Sequence, residues 1–321
     1  MNKITILIPC FNKQKYLSRL FKSLENQVDP NFNVILLDDN SSDNSLSMIE
    51  KFIANKSNYQ VIKLSKNKGV ANARNILIDS CQSKYFYFLD ADDLISKKTI
   101  YYLNKAIQEN DYQIVYSRFS LIFYKLPVIN FLSRIAKVKF KNHIDFISNS
   151  SPFIWNKLIL KKWYQEENIK FTTGYDFEDT YVTFMLFLSA KNTYFVNKKL
   201  YKYDLNLSGI SKKQSVNKIE GLSENLNILY SEIKKKNLSF IWNNEVEEFF
   251  FKNIMIHLFF GNNKNVIIKN KQEYQLAFEK LLKTFEEHNL ESKMAKYKNK
   301  FNLFLYLAIK NYFQLKQIFS K

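Results

Sequence analysis

The segment YFYFLDADD (85–93) places Asp90, Asp92 and Asp93 directly after an aromatic run. Carboxylates this close together do not all ionise cheaply unless a cation or strong donors lie among them. Oxygen-only ligands suit a hard divalent ion, Mg2+ or Mn2+, which usually joins one or two carboxylates to substrate phosphates. The plainer alternative is an Asp-rich turn that caps the next helix. Two further clusters bear on the choice. Asp38-Asp39 closes a second apolar run, and Asn12 follows the first. In the stretch KNKGVANARN (66–75), Gly69 permits a tight approach. Arg74 lies about one turn into the helix that follows, where its fork can reach a phosphate or a carboxylate. A helix start bearing a surface arginine is the plain reading of that stretch.

These clusters need a frame that brings them together. Ile4–Ile8 is a continuous apolar run closed by Pro9, which predicts a strand buried on both faces. Leu17, Leu20, Phe21 and Leu24 then fall at helical spacing. Asn33–Leu37 predicts a second strand, followed by a helix on Leu46, Ile49, Phe52 and Ile53 with Asp43 as its cap. Tyr59–Leu64 and Tyr85–Leu89 read as strands, Val70–Cys81 and Ser96–Gln108 as helices, and Ile114–Tyr116 as a short strand. Alternation at this interval means βαβ units: an α/β fold with a mostly parallel sheet flanked by helices. Ligands bind such sheets outside the carboxyl ends of the strands. Asn12, Asp38-Asp39 and Asp90-Asp92 all sit at such ends, so they should open onto one rim.

The composition is that of an ordinary globular chain, with 46% hydrophobic and 24% charged residues over 321 positions. High aromatic content (16%) with few Gly (5) and Pro (4) argues against a disordered or collagen-like protein. The net charge is +18, carried almost wholly by Lys, since the arginines are Arg19, Arg74, Arg118 and Arg134. Such a surface attracts anionic headgroups and polyphosphates. Nucleic acid is not the expected partner, because the basic residues are spread along the chain and no nucleic-acid motif occurs. Cys10 and Cys81 lie in or beside apolar segments and read as buried thiols. Met1–Pro9 has too short an apolar core for a signal peptide, and no run approaches the ~18 apolar residues of a spanning helix. The expectation is a cytoplasmic protein, with peripheral contact on the anionic inner face of the plasma membrane.

Four segments, IPCFN (8–12), LLDDNSSDNS (36–45), NKGVANARN (67–75) and FLDADD (88–93), resemble in order and spacing the nucleotide-sugar-binding domain of glycosyltransferase family 2. That large family of inverting enzymes has the GT-A fold. Trp155-Asn-Lys157-Leu, Gly174–Asp179, Tyr201-Lys-Tyr203 and Ser208-Gly-Ile-Ser211 fit its bacterial surface-glycan members, so the resemblance runs over roughly 3–215. It implies a UDP-sugar donor. Pro9, Phe11, Asn12 and Asp39, with Asp38 as the weaker of the acidic pair, would contact base and ribose. Asn67 and Ala91 would line the same site, with Arg74 beside the base or the acidic pair and Asp90 near the ribose. Asp92 would hold Mn2+ or Mg2+ against the diphosphate, with Asp93 in reserve. Asp179 would be the catalytic base, oriented by Glu178; two acids opening a helix and favouring its dipole is the compatible structural reading. Lys157, Lys202, Lys212 and Lys213, together with Tyr203 and Ser211, are candidates to meet diphosphate or acceptor. A solvated surface lysine is the plain alternative for each Lys.

The implied activity is sugar transfer to a hydroxyl of a surface glycan or its lipid-linked precursor. A non-catalytic glycan- or membrane-binding protein on the same fold is one rival. A sugar nucleotidyltransferase is another, but it wants a Gly-rich phosphate loop that IPCFNKQ lacks. Residues 1–215 are expected to form the catalytic domain and 216–321 a helical region, with helices over Leu222–Lys235, Val246–Phe260 and Tyr274–His288. Lone His257 and His288 read as core or surface residues. Arg118–Lys141 is an acceptor-side flap, a membrane-touching loop or a segment packed on the body. Lys296–Lys321 is a basic amphipathic helix on an anionic bilayer, or one docked on its own domain or a second subunit.

Overall fold

The computed structural model describes residues 2–108, 110–122, 153–174, 178–204, 216–241, 246 and 271–288. The first half alternates as its apolar runs require: β1 (Ile4–Cys10), α1 (Gln14–Glu25), β2 (Asn33–Asp38), α2 (Ser45–Ile53), β3 (Tyr59–Lys63), α3 (Val70–Ser80) and β4 (Tyr85–Phe88). There follow β5 (Leu94–Ile95), α4 (Thr99–Ala106), β6 (Ile114–Ile122), β7 (Lys157–Leu160), α5 (Lys161–Glu166), α6 (Glu178–Ser189) and β8 (Thr193–Asp204). Two long helices, α7 (Val216–Lys235) and α8 (Lys271–Glu287), complete the described elements.

One eight-stranded sheet runs in the order β3-β2-β1-β4-β7-β6-β8-β5. The strands β3, β2, β1 and β4 pair in parallel, as expected. Beyond β4 the sheet becomes mixed: β7 runs antiparallel to both β4 and β6, β6 pairs parallel with β8, and β5 closes the edge antiparallel to β8. This is a mixed α/β sheet, as the resemblance to a GT-A fold implies. Register explains the convergence of the acids. Cys10 lies opposite Asp38, and Leu7 lies opposite both Ile35 and Phe88, so β1, β2 and β4 leave the sheet on the same rim.

Continuous apolar strands need cover on both faces, and the side chains of β4 show why. Tyr85 and Tyr87 enter one core with Ile4, Ile6 and Ile8 of β1 and Leu17 and Leu20 of α1. Phe86 and Phe88 enter the other with Leu7, Leu77 of α3 and Phe184 of α6. The second core continues into the C-terminal helices through Leu222, Leu226, Leu229 and Ile233 of α7 and Leu281 of α8. The stripe on α7 has the spacing of one helical face. The expected boundary after 215 falls beside the segment 205–215, outside the described residues.

Several elements differ in extent from expectation. The strand expected over Ile114–Tyr116 runs on to Ile122, so Arg118 belongs to it, whereas 123–141 lies outside the described residues. The helix expected to open on Glu178 and Asp179 runs over Glu178–Ser189, with both acids in its first turn. Asp43 precedes the start of α2 and serves two helices: Oδ1 accepts from Ser45 N–H (2.9 Å) and Oδ2 from Gln14 N–H of α1 (3.1 Å). Of the helix expected over Val246–Phe260 only Val246 is described, and Lys296–Lys321 lies outside the described residues. Among the described residues no helix is long and apolar enough to cross a membrane.

Candidate active site

The rim is built from loops that hold one another. Asn12 adopts a left-handed backbone (φ 53°), a conformation Asn tolerates well. Its Oδ1 accepts from Ser42 N–H (2.8 Å) and Asp43 N–H (3.3 Å), while its own N–H donates to Ser41 Oγ (3.0 Å). The loops after β1 and β2 are thereby tied together, with Pro9 and Phe11 half-buried beside them. Asp39 is buried, and its two oxygens accept from Lys68 N–H (2.7 Å) and Gly69 N–H (2.8 Å). Asn67 Nδ2 donates to the Asp39 carbonyl (3.2 Å). Gly69 has φ 82°, which an L side chain rarely adopts, and this turn aims two consecutive N–H groups at one carboxylate. Asp38 is also buried; Oδ2 accepts from Ser41 N–H (3.0 Å), and Oδ1 has no hydrogen-bond partner among the described residues.

Arg74 joins the acid run to α6. It is 5% exposed, with Nη2 donating to Asp90 Oδ1 (3.2 Å) and Nη1 to Glu178 Oε1 (2.5 Å). The guanidinium also lies 5.8 Å from the Phe88 ring centre and 5.4 Å from that of Phe171. Burial pushes the Asp179 carboxyl up to about 7, reinforced by Glu178, with Arg74 opposing. A carboxyl held near neutrality can take a proton at working pH, which is what a general base requires.

The three acids after β4 divide between surface and interior. The side chain of Asp90 is 25% exposed and that of Asp92 20%. Ala91, between them, is buried. Asp92 forms an ion pair with Lys13, and its carbonyl accepts from Arg19, which is itself ion-paired with Asp204. Asp93 is 1% exposed: Tyr201 OH donates to Oδ2 (2.5 Å) and Asp204 N–H to Oδ1 (2.7 Å). Burial, with Asp90 and Asp92 nearby, raises the Asp93 pKa well above the usual carboxylate range. Both its oxygens thus serve the packing of the acid loop on β8. Tyr201→Phe removes one of those donors from a buried acid and is expected to cost about 1–3 kcal/mol. A urea titration checks this, with the midpoint falling at unchanged slope.

The later candidates fall in different places. Lys157 is 1% exposed inside β7, not on the surface and not open to a phosphate. Its ammonium donates to Phe153 O (2.6 Å) and Asn156 Oδ1 (3.0 Å) and lies 5.2 Å from the Phe187 ring centre. Burial pushes its pKa down to about 7, with Asp179 opposing. Tyr203 is half-buried in an aromatic stack: Trp155 lies 5.1 Å from Tyr203 and 4.4 Å from Tyr201, and Phe153 4.6 Å from Trp155. Burial raises the Tyr203 hydroxyl pKa, and the negative charges of Asp93, Asp90, Asp92 and Asp179 add to the rise. Lys202 pairs through its backbone with Leu94 and Ser120, and Ser211, Lys212 and Lys213 lie outside the described residues.

Sequence reasoning missed Lys13, Arg19 and Asp204 as parts of the site, and it named Tyr203 without the rings of Phe153, Trp155 and Tyr201 that stack with it. A period-two reading of TYFVNKKLYKYD (193–204) would have placed Tyr201 and Tyr203 on one face of a strand. Among the described residues no three His, Cys, Asp or Glu side chains are grouped so as to hold a metal ion by themselves.

Comparison with known proteins bears on this arrangement. Over 97% of its length the chain is 24% identical to a processive diacylglycerol beta-glycosyltransferase of Mycoplasma genitalium, of which it covers 96%. Among solved structures, S. aureus TarS 1-349 in complex with UDP-GlcNAc matches over 99% of this chain and 91% of that one (TM-score 0.72, 20% identity). A mannosyltransferase from Pyrobaculum calidifontis, solved with GDP-Man and Mn2+, matches over 98% of this chain and 80% of that one (TM-score 0.56, 12% identity). At these identities the two structures speak for the fold. The model of glycosyl transferase family 2 matches residues 5–173, a span that holds both rim loops, the acid run and Arg74 but stops short of Glu178, so the chain belongs to glycosyltransferase family 2.

Proposed function

We propose that this chain is an inverting glycosyltransferase that moves a sugar from a UDP-sugar to a hydroxyl of a surface glycan or a lipid-linked precursor. The observation that carries the reading is the Arg74 bridge. It brings Asp90, at the end of β4, and Glu178-Asp179, opening α6, to one place although they are distant in sequence. Asp179 takes the proton of the acceptor hydroxyl as that oxygen forms its bond to the anomeric carbon. The bond from that carbon to the diphosphate breaks on the opposite face, and its electron pair leaves with UDP. Glu178, held by Arg74, orients the first turn of α6. Pro9, Phe11, Asn12, Asp38, Asp39 and Asn67 form the rim offered to base and ribose. The names of the relatives support a lipid or glycan acceptor, and the half-buried rings of Tyr203 and Phe153 are the part of the aromatic stack open to one.

The donor set fits a divalent ion. Asp92 and Asp90 are partly exposed hard-oxygen donors, and Mn2+ or Mg2+ needs only one or two carboxylates when substrate phosphates complete its shell. Asp92 is the proposed ligand; Asp93, with both oxygens occupied, acts by positioning the loop. When bound, the ion would offset charge growing on the diphosphate.

The direct test is release of UDP from a panel of UDP-sugars, with and without Mn2+. Turnover that depends on the metal supports the reading, and Asp92→Asn is then expected to lose about a hundredfold in rate. Wild-type protein that binds no nucleotide sugar even with metal sinks it. A binding isotherm without turnover on any acceptor favours the non-catalytic rival.

A further inference from the structure

Asp92 already has a cation. Lys13, the residue before α1, places its ammonium on Asp92 Oδ2, and the two side chains are only 19% and 20% exposed. The Lys13 backbone is fixed, since its N–H donates to Ser45 Oγ (2.7 Å). Its side chain also lies over the Tyr16 ring, 5.6 Å from the centre. What remains adjustable is a flexible four-carbon stem carrying a point charge with three rotatable donors. Arg19 differs: it is anchored on the Asp92 carbonyl and paired with Asp204, so it holds the loop's backbone and leaves the Asp92 carboxylate to Lys13. The carboxylate proposed above for the divalent ion is therefore the one that Lys13 occupies, and a second cation arriving there meets like charge.

We propose that Lys13 is the resident counter-ion of Asp92 and moves to the donor's diphosphate when a divalent ion takes that carboxylate. The proposal rests on the donor and metal reading above. It makes two demands with opposite signs. Removing the Lys13 charge should ease metal binding to the empty protein, because nothing has to be displaced. It should weaken nucleotide binding to the metal-loaded protein, because the diphosphate loses a charge-assisted donor.

The experiment uses the full chain with Mn2+ alone and with UDP. Free Mn2+ is followed by its electron paramagnetic resonance signal, and UDP binding at saturating Mn2+ by calorimetry. For Lys13→Met, Mn2+ should bind roughly tenfold tighter without nucleotide, and UDP roughly tenfold weaker with metal present. Lys13→Arg, which keeps the charge and guards against a folding defect in the Met variant, should leave Mn2+ affinity within about twofold of wild type. Unchanged Mn2+ affinity in Lys13→Met, or UDP binding that is unchanged or tighter, overturns the assignment. Both outcomes differ from failure of the donor reading, in which wild type binds no UDP with or without Mn2+.

Discussion

Asp179→Asn is expected to lower kcat about a thousandfold while leaving UDP binding intact. The amide keeps the shape and neutral hydrogen-bonding capacity of the side chain but cannot accept the acceptor's proton. The wild-type pH profile should carry the same signature. Asp179 is protonated below about 7, so the rate should rise with pH through that value and then level off. Stability should move the other way. Between the ordinary carboxylate value of 3.8 and about 7, the unfolded chain has released this proton and the folded chain has kept it. The unfolded state therefore binds fewer protons, and the contribution of this group to stability falls as pH rises through the window. Asp179→Asn removes that penalty, so the inactive variant should melt higher than wild type at pH 8. A variant that is both inactive and less stable at pH 8 would argue that Asp179 is a structural acid.

Arg74→Met should be the most disruptive single change in the site. Two acids lose their cation at once, and the deeper of them, Glu178, has a side chain only 12% exposed. Breaking a buried pair by removing one partner costs about 3–5 kcal/mol. The Asp90 share is discounted, because that carboxylate is partly open to water and is screened. Arg74→Lys should restore little, since a single ammonium cannot span Asp90 and Glu178 as the guanidinium fork does. The double variant Arg74→Met/Glu178→Gln should recover part of the lost stability, because the buried charge that Arg74 had faced is gone. Chemical denaturation gives these numbers directly. Transfer should stay low in the double variant even where folding recovers, since the first turn of α6 has lost its tie to the donor side. Additive losses in the double variant would show that the bridge carries no coupling.

Much of the first half of the fold was legible because its signals are local. Apolar runs four to six residues long, closed by Pro9, Asp38 and Asp90, mark buried parallel strands whatever lies elsewhere in the chain. The second half hid its strands. β7 is four residues long and begins with a buried Lys157, and β8 carries exposed lysines at its centre, so neither shows the uninterrupted apolar character of β1 or β4. Residues 157–160 and 193–204 become strands because β4 and β6 present edges for them.

The order of the acids, their place at strand ends and the alternation that gathers those ends on one rim follow from residue type and spacing alone, since hydrophobic periodicity acts over a few residues. Which charges meet was settled by the tertiary structure. Lys13 reaches Asp92 across 79 positions and Arg74 reaches Glu178 across 104. Asp93, beside Asp92 in the chain, is drawn inside by Tyr201 and Asp204. A carboxylate's role depends on what stands within a few ångströms of it, and partners so remote in sequence are chosen by packing.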